Sequence, residues 1–301
     1  MSIKLLALDL DGTLLNSRGL LSQRNRSALE QARQAGVRVA IVTGRRFRDA
    51  RPLALELGLD VPVIAHNGAL TKHAATLETV AVLPLPLEAA RHALRVGQAL
   101  GADPLLSDDH EGLGVLVYDH LSGDNPALLQ YVAWARRIHG ADAHDAVRQV
   151  PSVAEYLDHE PVHLAFSGGC AHMKTLEAAL HSELGTTVKV FCTTYASKDF
   201  SLLDIVNPAA SKGVGVAAAA AELGIAREEV MACGDNLNDL EMLEFAGTGV
   251  VMGNAEPTLH ELDGLYATST NDEDGVALAV ERFILGDGCN RATEAESTTT
   301  A

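Results

Sequence analysis

The hydrophobic and polar positions of this chain change period several times along its length. Residues 3–8 are apolar apart from Lys4, which predicts a buried strand. Ser22 can cap a helix running to about Ala35, with Gly36 as its stop signal. "VRVAIVT" (37–43) predicts a second buried strand. "FRDARPLALELG" predicts a helix with an irregularity at Pro52 and an end at Gly58. "VPVIAHNGA" (61–69) predicts a third strand with a turn behind it. Strands and helices alternating in this way predict right-handed crossovers and a parallel sheet.

The same alternation returns after residue 200. "SLLDIV" is strand-like, and Ser211 can cap the helix "KGVGVAAAAAELG". "EEVMACGD" predicts a buried strand, "DLEMLEFAG" a short helix, "GVVMGNA" another strand and "DGVALAVERFIL" a closing helix. The middle of the chain is richer in His and has longer polar loops. It offers helices at 88–100, 126–139 and 172–184, and strands at 113–118, 162–166 and 188–192. The expected fold is α/β. Residues 1–83 and 191–286 would form a Rossmann-like, doubly wound parallel-sheet core, and residues 84–190 an inserted α+β cap domain. Residues 287–301 lack an apolar pattern and are expected to form a disordered tail.

Composition narrows the partners. The chain has 301 residues, 47% of them hydrophobic, enough for a sizeable core. Its net charge of −17 argues against nucleic acid or an anionic membrane as partner. A small phosphorylated ligand needs only a local positive site, so it stays open. The four cysteines, at 170, 192, 233 and 289, show no CxxC spacing, so neither a disulfide framework nor a zinc knuckle is suggested. The N-terminal apolar stretch is too short for a signal peptide, and no apolar run approaches the roughly 20 residues of a membrane helix. A cytoplasmic setting is the expectation. Nothing here fixes the oligomeric state.

The chemistry lies at strand ends. In open parallel sheets, ligands bind beyond the carboxyl ends of the strands. The first strand ends at Asp9, the second at Thr43 and Gly44, and the strand after residue 228 at Gly234 and Asp235. Lys212 opens a helix that can reach the same edge. The candidate constellation is therefore Asp9, Asp11, Thr43, Lys212, Asp235, Asn238 and Asp239. Two like charges about 4 Å apart repel by about 4 kcal/mol at an effective dielectric of about 20. Clustered carboxylates therefore need a cation, and oxygen donors on loops suit a hard one, Mg²⁺ above all. Asp9 would then act as nucleophile, forming an aspartyl-phosphate. Asp11 would protonate the leaving oxygen and later activate water. Lys212, the Thr43 hydroxyl and the Gly44 N–H would hold the phosphoryl oxygens.

"DLDGTLL", "VTGR", "SKG" and "GDNLNDLEML", in this order, resemble the four signature motifs of the haloacid dehalogenase-like hydrolases. The long insert between the second and third motifs resembles the Cof-type branch, as do "HNGA" (66–69) and "NDEDGVA" (271–277). This resemblance implies a magnesium-dependent phosphatase of small phosphorylated metabolites, often sugar phosphates. It implies Asp9 as nucleophile and Asp11 as acid/base, with the Asp11 backbone carbonyl also on the metal. Asp235 would be the remaining metal ligand, supported from behind by Asp239. Thr43, Lys212 and Asn238 match phosphate-binding positions, and the insert would select the leaving group.

Each motif has a plainer reading. "DLDGT" fails as an EF-hand loop, because counting from Asp9 the Gly falls at position four and Leu20 at twelve. "GDNLND" could be a capped helix start, and Lys212 a solvated lysine. "HEPVH" (159–163) matches HExxH formally, but Pro161 disrupts the helix that a zinc site needs, and "VHLAF" alternates like a strand. The remaining cap histidines read as surface or substrate-facing, and Cys233 as buried packing. A phosphomutase, a non-catalytic phosphometabolite sensor and a nucleotide-cofactor protein are the rival functions. The last lacks both G-x-G-x-x-G after the first strand and G-x-x-x-x-G-K-[ST].

Overall fold

The computed structural model describes residues 2–123, 125–138 and 143–286. The expected tail at 287–301 and the end of the helix predicted over 126–139 lie outside these. The chain starts with β1 (Leu5–Leu8), α1 (Gln23–Gln34), β2 (Arg38–Ile41), α2 (Phe47–Glu56) and β3 (Pro62–Ala65). β4 (Leu70–His73) and β5 (Thr79–Val82) follow. Next come α3 (Leu87–Ala99), β6 (Pro104–Asp108), β7 (Val115–Tyr118), α4 (Pro126–Ile138), α5 (Ala143–Ala146), β8 (Val147–Gln149), α6 (Val153–Tyr156) and β9 (His163–Gly168). α7 (Cys170–Leu184), β10 (Lys189–Tyr195) and β11 (Phe200–Val206) complete that stretch. The last part holds α8 (Lys212–Glu222), β12 (Val230–Gly234), α9 (Leu240–Phe245), β13 (Thr248–Val251), α10 (Pro257–His260), β14 (Tyr266–Ala267) and α11 (Gly275–Val280).

The first sheet runs β14-β13-β12-β1-β2, with every pairing parallel. Successive side chains of β1 point to opposite faces. Leu6 and Leu8 pack with Leu29 and Val276 on one face, and Leu5 and Ala7 with Val216 and Met242 on the other. Both faces are therefore covered, as a doubly wound sheet requires. Ser22 caps α1, its hydroxyl accepting the Asn25 N–H at 3.0 Å, and α2 runs through Pro52 to Glu56.

Two expectations need correction. The third predicted strand, β3, meets the first sheet through a single parallel bridge, Val42 to Ile64. It pairs instead with β4, which pairs with β5, in a small antiparallel sheet. The turn at 66–68 reverses the chain, so the next strand returns alongside β3. The second correction concerns residues 191–206, expected in the core. They form most of β10 and all of β11, which pair with each other and, through β11, with β9. The second sheet runs β10-β11-β9-β6-β7-β8, antiparallel except for β7 with β8. "SLLDIV" lies inside that sheet, between β10 and β9, and an interior strand covered on both faces reads like a parallel one. The chain returns to the first sheet only after Val206.

The second sheet carries its own core. Leu164 and Phe166 pack with Leu94 of α3 and Leu176 of α7, while Leu105 and Ala165 face Leu128 of α4. Polar ties join it to the first half of the chain. Arg46 and Asp49 both bond the Tyr131 hydroxyl, at 3.0 and 2.9 Å. The buried Lys72 ammonium donates to the carbonyls of His110, Glu111 and Gly112 at 2.6–2.8 Å.

Candidate active site

Register gathers the acids. Leu8 of β1 pairs with Cys233 of β12 on one side and Ile41 of β2 on the other. The residues that follow each pairing emerge together at the carboxyl edge: Asp9, Gly234 with Asp235, and Thr43. Helix α8 delivers Lys212 to the same place. Ser211 caps that helix, its hydroxyl accepting the Val214 N–H at 3.1 Å. Gly12 has a φ of 92°, and a Cβ there would lie 2.3 Å from an Asp235 carboxylate oxygen. Only glycine lets the loop after β1 pass so close to that acid.

Lys212 is 1% exposed and donates to Asp9 Oδ1 at 2.7 Å and to Asp239 Oδ1 at 2.5 Å. Asp239 Oδ2 accepts the N–H groups of Asp235 and Asn236, both at 2.9 Å. Asp239 thus gives one oxygen to Lys212 and the other to the backbone of residues 235 and 236. Asp235 Oδ1 accepts the Thr13 hydroxyl at 2.7 Å. Among the described residues, Asp9, Asp235 and Asp239 offer ligand oxygens within 4.8 Å of one another. Burial pushes the Asp9 carboxyl well above its usual range; Lys212 opposes this, and Asp239, Asp235 and Asp11 add to it. Burial and then Asp239 push Asp235 up to about 6. Burial works against the Lys212 ammonium, but Asp239 and Asp9 more than offset it and hold its pKa above the ordinary lysine range. Lys212 bonds two of the three acids and Asp235 takes only the neutral Thr13 hydroxyl, so the pocket lacks positive charge. Its donors are all carboxylate oxygens, which fit a hard divalent cation.

Asp11 stands apart from this cluster. Its side chain is 48% exposed and takes a two-pronged bond from Arg45, with Nε–Oδ2 at 2.7 Å and Nη2–Oδ1 at 2.5 Å. The gathering of four carboxylates expected from sequence is therefore one of three. The Thr43 hydroxyl accepts the Arg45 N–H at 3.1 Å. Gly44 lies against Asn67, whose Oδ1 would be 3.1 Å from a Cβ there. Asn67 Oδ1 accepts the Asn238 Nδ2 at 2.9 Å. Cys233 is fully buried, and burial pushes its thiol up to about 12, so it serves packing.

Sequence reasoning assigned no role to Arg45, Asn67, Thr13 or Asn254, whose amide donates to the Gly12 carbonyl at 2.8 Å. Arg45 and Asn67 lie inside quoted motifs, so their positions were in view. His163, the second histidine of "HEPVH", is buried, 3.0 Å from His66 and 2.9 Å from Asp204. His159 bonds Asp108 and Asp158, and β9 starts at His163, so "HEPVH" is no helix.

Residues 6–280 match the family model described as haloacid dehalogenase-like hydrolase. The chain belongs to that family. A pyridoxal phosphate phosphatase of Escherichia coli, YbhA, is 31% identical over 85% of this chain and 90% of its own length. The 5-amino-6-(5-phospho-D-ribitylamino)uracil phosphatase YwtE of Bacillus subtilis is 30% identical over 94% of this chain and 99% of its own. The crystal structure of a haloacid dehalogenase-like hydrolase from Bacteroides thetaiotaomicron superposes with a TM-score of 0.76 at 29% identity, covering 93% of this chain and 99% of that one. The haloacid dehalogenase-like fold thus extends through both sheets. No helix among the described residues is long and apolar enough to cross a membrane.

Proposed function

We propose that this chain is a magnesium-dependent phosphatase that hydrolyses small phosphorylated metabolites through a phosphorylated Asp9. One observation carries the reading: Lys212 sits between Asp9 and Asp239 at a strand-end edge where Asp235 is within ion-sharing reach. Asp9 turns one oxygen to Lys212, and its other oxygen is the nucleophile. Lys212 neutralises charge on the transferring group, and the Thr43 hydroxyl, Gly44 N–H and Asn238 amide orient its oxygens. Asp11, outside the acidic cluster and within reach of solvent, gives a proton to the leaving oxygen and takes one from the attacking water. Arg45 holds that carboxylate in place.

Asp9, Asp235 and the Asp11 backbone carbonyl would hold magnesium, with Asp239 fixing the loop behind it. The ion would supply charge stabilisation to the phosphoryl oxygens. Relatives named for pyridoxal phosphate and for a ribityl phosphate support a small phosphorylated substrate. Sugar phosphates belong to the same class. The division follows the sheets: residues 2–83 and 207–286 carry the chemistry, and 84–206 form the cap that selects the leaving group. Tyr195, at the end of β10, belongs to that cap; burial first and then the Asp11 charge raise its hydroxyl pKa. The free thiols at Cys170, Cys192 and Cys233 suit a reducing, cytoplasmic setting.

The test is a screen of phosphorylated metabolites that reads phosphate release. Excess chelator should abolish release, and added magnesium should restore it. Undiminished turnover in chelator would contradict the metal assignment.

A further inference from the structure

A buried polar chain crosses between the two sheets, and the chemistry above does not use it. It begins at residues 66–68. His66 and Asn67 both adopt left-handed backbone, with φ of 52° and 55°, a conformation uncommon for residues bearing a Cβ. Gly68 follows at φ 89°, and a Cβ there would lie 1.8 Å from the Ser211 carbonyl oxygen. The turn is thus pressed against the start of α8, one residue from Lys212.

The hydrogen bonds allow one assignment of donors and acceptors, and they converge on Asp204 from both ends. The Phe47 N–H donates to His66 Nε2 at 3.2 Å, so that nitrogen is an acceptor and the His66 proton is on Nδ1. His66 Nδ1 lies 3.0 Å from His163 Nδ1, which must accept. The His163 proton is then on Nε2, 2.9 Å from Asp204 Oδ1. Asp204 Oδ2 accepts from Asn67 Nδ2 at 3.4 Å, and Asn67 Oδ1 accepts from Asn238 Nδ2 at 2.9 Å. His66, His163, Asp204 and Asn67 are all buried. The chain leaves the core half at His66, crosses β9 and β11, and returns at Asn67, the very next residue.

We propose that the His163–Asp204 pair is a positioning device for the phosphate pocket, setting the amide of Asn67 and through it the amide of Asn238. A primary amide has two orientations that exchange donor for acceptor. The Asp204 carboxylate can only accept, so it fixes the Asn67 nitrogen toward itself and the Asn67 oxygen toward Asn238 and Gly44. Asn238 has no second constraint, because its own Oδ1 is buried without a hydrogen-bond partner. Its orientation therefore rests on Asn67. Turned the other way, Asn238 would exchange the ends of its amide and aim a carbonyl oxygen where it now aims N–H. Both Asp204 oxygens are engaged within the chain, so Asp204 acts on Asn67 rather than on a leaving group. The cap thereby shapes phosphate binding as well as substrate choice.

The proposal rests on the phosphatase reading, so its test needs no turnover. Inorganic phosphate carries no leaving group and reports on the pocket alone. Its affinity is measured with magnesium by calorimetric titration on the wild type, Asp204→Asn, Asn67→Ala and the double variant, each checked for cooperative unfolding. The wild type should bind. Each single variant should bind about tenfold more weakly, the effect of one misplaced hydrogen bond to an anion. The double variant should be no weaker than the worse single one, because both act through one chain. His163→Leu, which removes the donor to Asp204, gives a second reading if Asp204→Asn does not fold. It should weaken phosphate binding several-fold. Unchanged affinity in the folded cap variants, or effects that multiply in the double variant, would overturn the proposal while leaving the phosphatase reading intact. A wild type that binds no phosphate would overturn both.

Discussion

The carboxyl edge of the first sheet and the second sheet facing it both bury charged groups, by different means. At the edge, Asp9, Asp235, Asp239 and Lys212 belong to short stretches that each finish a strand or open a helix. Parallel register brings them level, and one ammonium leaves three acids undercompensated. In the second sheet, His163 and Asp204 lie within strands and satisfy each other across an antiparallel ladder and a neighbouring turn. The edge is short of positive charge. The His163–Asp204 pair is closed on itself, its ring nitrogens and carboxylate oxygens all engaged within the chain. On the proposed reading the edge carries the chemistry, and the pair carries orientation.

The largest test of that contrast is Asp9→Asn. If the edge alone does the chemistry, turnover should fall on the order of a thousandfold or more, while phosphate binding persists. Phosphate release and phosphate titration on the same preparation separate the two. Near-native hydrolysis of an aryl phosphate by this variant would exclude a covalent intermediate on Asp9.

Next in size is Lys212→Met. The ammonium is buried between two carboxylates, so its loss strands both. Stability without magnesium should drop by about 3–5 kcal/mol, the usual cost of breaking a buried ion pair from one side. Denaturant unfolding measures this, and adding Asp9→Asn should recover part of the loss. A loss below about 1 kcal/mol, the scale of a solvent-exposed pair, would mean that the edge is wetter than its geometry implies.

Legibility from sequence followed the same divide. Asp9, Thr43, Lys212 and Asp235 could be placed because each directly follows an apolar run or opens a capped helix, and a parallel sheet aligns such ends. The bonding of Asp11 to Arg45 could not be placed, since it depends on which way two exposed side chains turn. Asp204 carried no signal, and His163 only the formal HExxH match that Pro161 rules out. Each is one polar residue in a strand-like run, and its partner is set by antiparallel pairing that no motif marks. Residues 191–206 misled for a related reason: an interior strand covered on both faces looks the same in either sheet. A turn was legible at Asn67 and Gly68, but the return of β4 alongside β3 was not, because the left-handed His66 before it carries no such signal.

The smallest expected effect is on acid stability, and there the two regions should differ in sign. Burial first, then His163 and Arg46, hold the His66 pKa well below the usual value, with Asp49 opposing them. His66 is then neutral in the fold but protonates in the unfolded chain below about pH 6.5. The unfolded chain binds the extra proton, so stability falls as pH drops through that value, by at most about 1.4 kcal/mol per pH unit for this one group. Asp235 is raised to about 6, so without magnesium its fold binds the extra proton, and its contribution grows as pH falls from about 6 toward the ordinary carboxyl range. Asp9, also pushed up by burial, acts in the same sense as Asp235, so denaturant unfolding between pH 5 and pH 8 without magnesium should show a rise on acidification that His66 blunts in the wild type. His66→Leu removes one opposing slope and should leave stability rising more steeply on acidification. If the profile of that variant runs parallel to the wild type, the blunting arises elsewhere and the His66–His163 contact does not carry it.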